Sequence, residues 1–518
     1  MVDVWVHHKN VPVTHVWEME WMGLIGIDVG TTHIKAGLFL LRGDCVRLAM
    51  RPTPVHRRAT GRAYYDPEEV FAIVVSLLDE LLHGLDEGKN VQAIGIASMA
   101  ETGVMIGAKD GTLYSDLMPW FDSHAAKEAE WIANRFDCAE RFLRTGLRPS
   151  SKHGVAKVLW WKKQSGGFSS DARWLSMADY ITYRFTGKIG TDYTLAARTY
   201  AFHLAKHCWD DEFIKDIGLS PDLFPNAHRS GEPVGIVMST LAARYGFTDR
   251  VHVCVSGHDH LCAAAGVGIS HSGSVFDSMG TAETLMGLLP DRPLSKEDYL
   301  SGLTFGRHVF SNTLYWMGSL PYSGGSLEWF RSILGQAEPV TYEQWEKLVR
   351  EVGDAPTGLM YFPFLTGRGT PYADPLLRGS FIGLNASHKR GHMAKAVMEG
   401  TAFEIEAIRR RALQVLHQEL SSLTVAGGGT RSTLWLQIKA NVHGVPLSIP
   451  SIKEATLRGA AMMAALGIGI YKDANDAVAQ FNHDDQIEII PQAHLVNQYL
   501  QVFEQAYMPY LDLFTRMR

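Results

Sequence analysis

Leu24-Ile25-Gly26-Ile27-Asp28-Val29-Gly30-Thr31-Thr32-His33-Ile34-Lys35-Ala36-Gly37-Leu38-Phe39-Leu40 holds two short apolar runs on either side of a tight Gly-Thr-Thr segment. Each run is long enough for a buried strand, so the stretch predicts a hairpin. The turn suits an anion: Gly30 lets backbone N–H groups come close to a ligand, Thr31 and Thr32 add hydroxyl donors, and Lys35 adds a positive charge for phosphate oxygens. Asp28, at the end of an apolar strand, is costly to bury unless it meets a cation or donors. A Mg²⁺ accompanying a nucleotide would supply that cation. The competing reading is a polar hairpin with one Asp at its rim. The pattern is neither the P-loop nor the Rossmann fingerprint, because the chain returns as a strand instead of opening a helix.

Around this stretch lies a chain of 518 residues, too long for one ordinary core, so two domains of about 250 residues each are expected. Apolar residues make up 46% and charged residues 20%, the balance of a globular protein able to bury a large core. With 49 basic against 55 acidic residues and a formal charge of −6, nothing marks a nucleic-acid or membrane partner, and small-molecule chemistry is the better expectation. Cys45, Cys138, Cys208, Cys254 and Cys262 are odd in number and without CxxC spacing, which implies reduced thiols in a cytoplasmic protein. Residues 1–22 have no unbroken apolar run and read as an appendage before the first strand.

Beyond the hairpin, Asp66-Pro67-Glu68-Glu69 is a helix start with proline at the first position and acids in the first turn. Val91 to Ile96 is a buried strand, with Ser98 to Gly103 just past it, and the alternation of strand and helix argues for an α/β domain whose ligands sit at the carboxyl ends of strands. In Pro119-Trp120-Phe121-Asp122 the indole could pack on a sugar's C–H face while the carboxylate accepts hydroxyls, although a Trp in such a place is more often core. Lys157 to Lys162 and Ser176 to Tyr180 read as structural helices.

At the centre, the strand Val251 to Val255 runs into Ser256-Gly257-His258-Asp259-His260. Asp259 at this strand-to-helix junction can accept a proton from a substrate hydroxyl. The flanking histidines raise a metal-site alternative, against which stands the rarity with which adjacent residues point at one centre. Val275 to Met279 then repeats the opening logic, a strand followed by Gly280-Thr281. Two strand-Gly-Thr turns, each opening one half of the chain, suggest a duplicated architecture with a phosphate cleft between the halves.

The run Gly379-Ser380-Phe381-Ile382-Gly383-Leu384, followed by His392-Met393 and Ala396-Val397-Met398-Glu399, resembles the signature of the FGGY carbohydrate kinases. Asp28 to Thr32, Trp120 to Asp122, Lys157 to Trp160, Gly257 to Asp259, Gly280-Thr281, Gly427 to Gly429 and Glu454 to Thr456 stand in that family's order, from about residue 23 to about residue 475. The resemblance implies an α/β fold of two actin/hexokinase-like, ribonuclease H-like domains, with ATP and Mg²⁺ in the cleft between them. It implies a sugar- and phosphate-binding domain over 23–269, a nucleotide domain over 270–518, and a cytoplasmic enzyme for which a homodimer is one open assembly.

Carried over by that resemblance, Asp259 is the general base and Asp28 the acid near the metal. Thr31, Thr32 and Lys35 form one phosphate turn, Gly280 and Thr281 the other, and Gly324, Glu328, Gly428 and Gly429 contact the nucleotide. Glu101, Trp120 and Asp122 join Asp259 in the acceptor pocket. Xylulokinases usually carry Met-His where this chain has Glu101-Thr102. Glycerol kinases carry Arg-Glu-Thr, leaving Ala100 in place of arginine, and His124 also stands where arginine is usual. A short side chain at Ala100 should enlarge the pocket, favouring a ketose such as xylulose or a longer polyol over glycerol. The rival expectation is a binding protein on the same fold that transfers no phosphate.

Overall fold

The structure is a computed structural model that describes residues 22–85, 90–247, 250–335, 338–416, 422–481 and 486–516. The expected appendage, apart from Met22, lies outside the described residues. The opening hairpin forms as read: β1 (Gly23–Val29) pairs antiparallel with β2 (His33–Leu40), Asp28 opposite Lys35. Every residue of β1 is buried, which follows from its having strand neighbours on both sides and helices over both faces. β3 (Cys45–Pro52) continues antiparallel beside β2, and β4 (Val91–Ser98) lies parallel beside β1. β5 (Pro233–Ile236) forms the far antiparallel edge and β6 (His252–His258) lies parallel to β4, giving the order β5-β6-β4-β1-β2-β3.

One face of this sheet is covered by the helix Pro67–Leu82, where the Asp66 carboxylate accepts the N–H groups of Glu68 and Glu69. Val70, Val74, Leu77, Leu78 and Leu81 recur at helical spacing and bury against Ile27, Ile34, Ala36 and Ile94.

The second sheet repeats the connectivity. β7 (Val275–Met279), β8 (Glu283–Pro290) and β10 (Thr313–Leu320) run antiparallel in sequence, with β9 (Thr304–Arg307) outside β10. β11 (Leu423–Ala426) and β12 (Leu447–Pro450) follow in parallel on the other side of β7, and β13 (Gln486–Ile489) is again an antiparallel edge. The two strand-Gly-Thr turns are therefore equivalent corners of two similarly wound sheets. Both turns join the first strand of their sheet to its antiparallel partner.

The halves meet through the helix Ala455–Gly467, which belongs to the second half in sequence but lies on the free face of the first sheet beside the helix Asp259–Gly266. A Cβ placed on Gly26 would sit 2.1 Å from the Leu457 carbonyl oxygen, and one on Gly95 would sit 2.0 Å from that of Ala460. Backbone here touches backbone, so neither position can carry a side chain without displacing the helix. Leu24, Ala93, Cys254 and Leu261 share one apolar cluster with Leu457, Ala460 and Met462 and with Phe276, Met286 and Leu288 of the second sheet.

Candidate active site

Both turns and Asp259 border this junction. Asp259 is the first residue of the helix Asp259–Gly266, directly after β6. The bend before it needs Gly257, whose φ is +122° and whose place leaves a Cβ 2.7 Å from Thr194 Oγ1. That hydroxyl accepts the His258 N–H at 2.9 Å, and Thr194 is itself held by Asp192 at 2.8 Å. Asp259 Oδ1 accepts the neighbouring His260 N–H at 2.7 Å, and the capping position of the helix belongs to His258. His258 Nε2 lies 3.2 Å from the same Oδ1. Burial alone would raise the Asp259 carboxyl, but His260 and His258 outweigh it and hold it below its ordinary value. Donor atoms of His258, Asp259 and His260 all lie within 4.8 Å of one another, closer together than adjacent positions in the sequence suggest. The imidazoles nevertheless serve the carboxylate, which keeps it ionised.

Asp28 is in the opposite condition. Its Oδ1 is buried with no hydrogen-bond partner, and burial, then Asp259, push its pKa up to about 8, against the pull of Lys35. Lys35 pairs with Glu454 Oε2 at 2.7 Å, so its charge is shared between its register partner Asp28 and a carboxylate from the second half. An acid raised from 3.8 to about 8 takes up a proton on folding between those values, so its cost to stability grows as pH rises through that window. Asp28→Asn in metal-free buffer should therefore raise Tm relative to the parent, by more at pH 8 than at pH 5, while phosphoryl transfer is lost. Thermal scans at the two pH values with an activity assay check this, and a Tm difference independent of pH would remove the buried carboxylate as its cause.

Glu101 follows β4 in a left-handed conformation (φ +59°), with its largely buried side chain paired to Arg198. Arg198 Nε donates to Oε1 at 2.9 Å, Nη2 donates to the same oxygen, and Lys152 Nζ lies 3.7 Å from it. Burial would raise this carboxyl, but Arg198, then Lys152, His153 and His258, bring it far below the usual range. Arg198 Nη1 also reaches the Tyr315 hydroxyl on β10, at 3.4 Å. His260 feels Asp259, Glu101 and Arg198 together, so all four share one neighbourhood. Trp120 is half-exposed, and its indole N–H donates to Thr31 Oγ1 at 3.0 Å, setting the ring against the Gly30–Thr32 turn.

Asp122 is also held by its own loop. Its Oδ2 accepts the Ala63 N–H and its Oδ1 the His124 N–H, both at 3.0 Å, with the His124 ring beside it. A buried carboxylate so occupied braces the loop under Trp120 and keeps an acceptor site for a further donor. Ala100 is buried in the apolar cluster of the first sheet. The guanidinium beside Glu101 is that of Arg198, from neither position 100 nor 124.

Lys157, which looked structural in the sequence, is buried, and its ammonium donates to three carbonyls: Glu101 at 2.6 Å, Pro119 at 2.8 Å and Met118 at 3.1 Å. It ties the Glu101 segment to the Trp120 segment. Burial lowers its pKa to about 7, opposed by Glu101 and Asp122.

On the other side, the Gly280 and Thr281 carbonyls accept the N–H groups of Gly324 and Gly325, both at 3.1 Å. A Cβ on Gly324 would lie 2.5 Å from the Gly280 oxygen, so this contact demands glycine. Gly428 and Gly429 form a short 3₁₀ turn after β11, with Gly429 against Met279 and Gly428 open. Glu328 is exposed and pairs with Arg331 at 2.7 Å and with the Tyr342 hydroxyl.

Set against known proteins, residues 23–266 match the N-terminal domain of the FGGY family of carbohydrate kinases, and residues 276–468 match its C-terminal domain. The chain belongs to the FGGY family of carbohydrate kinases. A xylulose kinase of Bacillus subtilis is 29% identical over 490 residues, covering 93% of this chain and 95% of its own length. A glycerol kinase of Saccharolobus islandicus is 26% identical, covering 88% and 89%. Among solved structures, a gluconate kinase from Lactobacillus acidophilus superposes with a TM-score of 0.87 at 23% identity over 95% of this chain and 98% of that one, a likeness of fold. This FGGY member is thus an ATP-dependent carbohydrate kinase with two α/β domains. Among its described residues no helix is long and apolar enough to cross a membrane.

Proposed function

We propose that this kinase transfers the terminal phosphoryl group of ATP to a hydroxyl of a small ketose or polyol, with Asp259 as general base. The observation that carries this is the electrostatic coupling of Asp259, held ionised beside two histidines, to Asp28, whose buried Oδ1 has no hydrogen-bond partner. The two contacts of Asp259, from the His260 backbone N–H and from His258 Nε2, both fall on Oδ1, which leaves Oδ2 to take the proton of the attacking hydroxyl. Glu101, locked by Arg198, and Lys152 would bind acceptor hydroxyls, Trp120 would wall the sugar, and Asp122 would support Trp120 from below.

Backbone N–H groups and hydroxyls of Thr31 and Thr32, with Lys35, face the phosphates from one turn. Gly280 and Thr281 face them from the other, and Gly324, Glu328, Gly428 and Gly429 line the nucleotide side. The orphaned Asp28 oxygen fits a hard divalent cation, for which Mg²⁺ is the natural candidate. When bound, that ion would neutralise charge on the transferring phosphates. Closure of the two halves would exclude water, which otherwise competes as acceptor. The xylulose and glycerol kinases among its relatives support a ketose or polyol. Five free cysteines support a cytoplasmic setting.

A coupled ADP-release screen over ketopentoses, deoxyketoses, tetritols, glycerol and sugar acids tests the proposal. No acceptor above the ATP-only blank, with tight sugar binding by calorimetry, would favour a binding protein in its place. Glu101→Ala should raise the acceptor KM and leave Arg198 buried without its carboxylate, while the ATP KM stays within about twofold. Steady-state kinetics with each substrate varied checks that split.

A further inference from the structure

Beneath the second phosphate turn lies an ion cluster that the proposed chemistry does not use. Asp277 on β7, Glu283 at the start of β8 and Lys439 on the helix Thr433–His443 are almost completely buried. Lys439 Nζ donates to Glu283 Oε1 and lies 3.5 Å from Asp277 Oδ2. Glu283 Oε2 accepts the Ser323 hydroxyl at 2.6 Å. Ser323 stands at the capping position of the helix Gly324–Leu334, yet its side chain makes no cap bond, because Glu283 has taken it. One carboxylate therefore ties together the strand after the Gly280-Thr281 turn, the helix start that docks on that turn, and the helix that follows the triple glycine. Buried ion pairs of this kind recover little of their desolvation cost as stability, whereas their bonds are directional.

We propose that Glu283, with Lys439 and Ser323, is a positioning group for the nucleotide: it fixes the Gly280-Thr281 turn, the Gly324 helix start and the Gly427–Gly429 loop at the spacing that ATP spans. This rests on the assignment of those three segments to the nucleotide. Ser323→Ala removes one hydroxyl and no charge. Glu283→Gln/Lys439→Met removes both ends of the Glu283 pair, leaves Asp277 without its lysine, and keeps side-chain volumes near their originals.

Binding of ADP is measured by calorimetry on the full-length protein, with Tm recorded beside it and the acceptor KM once an acceptor is known. The expected result is an ADP Kd raised about 10-fold by Ser323→Ala, the loss of one hydrogen bond to a charged group, with the acceptor KM unchanged. The double variant should weaken ADP at least as much even where its Tm returns to that of the parent. ADP affinity equal to the parent's in both variants, whatever their Tm, would reduce the cluster to a structural role and overturn the inference. A parent protein that fails to bind ADP would instead sink the nucleotide assignment, and this inference with it.

Discussion

Asp259→Asn should lower kcat by about 10² to 10⁴ while leaving ATP binding near its starting value. The substitution keeps shape and the acceptor side of the His260 N–H bond, but it removes the group that takes the proton. It also removes the charge that His258 and His260 face, and that Asp28 senses from its buried position. Asp28 should then ionise more readily, so ATP affinity has no reason to fall. Single-turnover and steady-state rates on the identified acceptor check the first part, and calorimetry with ADP checks the second. Near-full turnover in the variant would mean that another group accepts the proton.

Lys157→Met should raise the acceptor KM by about 10- to 100-fold and lower stability by roughly 3 kcal/mol, with the ATP KM little changed. The ammonium holds three carbonyls from two segments, and methionine fills its volume without donating to any of them. Freed of that tie, the left-handed Glu101 and the Trp120 ring lose their fixed separation, although neither is itself altered. Arginine at 157 would keep the charge but carries a planar fork where three carbonyls surround one nitrogen, so it should rescue only in part. Thermal unfolding with acceptor and ATP titrations separates the two effects. A stability loss with an unchanged acceptor KM would mean that the tie holds the fold and not the pocket.

The parts of the molecule legible in its sequence are those decided locally. The Gly30 to Thr32 turn and the Asp66-Pro67 helix start each arise from residue types whose backbone preferences act within a few positions, and each forms where it was read. The repeat of strand-Gly-Thr correctly marked two equivalent sheets, because the corner of a sheet must carry its own turn chemistry. What escaped were partnerships between distant segments. Arg198 lies 97 positions from Glu101, and nothing in Leu195 to Thr199 signals where its side chain goes. Lys157 sits in a run whose apolar neighbours explain it as ordinary helix until the three carbonyls are seen around it. The bonds of Asp122 to Ala63 and His124 arise from a loop crossing that spacing cannot reveal. The buried Glu283 and Lys439 are 156 positions apart and gave no local sign of their pairing.

The helix Ala455–Gly467, lying backbone to backbone on Gly26 and Gly95, sets the order in which this chain can finish folding. The first sheet is complete in its strands once His258 has been made, but the helix that covers its second face is encoded about 200 residues later. At a synthesis rate of about 5–20 residues per second, that face waits on the order of 10 to 40 seconds for its partner. During that interval Leu24, Ala93 and Cys254 have no Leu457 or Ala460 to meet. The two halves, similar in winding, therefore cannot mature one after the other as they leave the ribosome. The first becomes native only when the second has almost been completed.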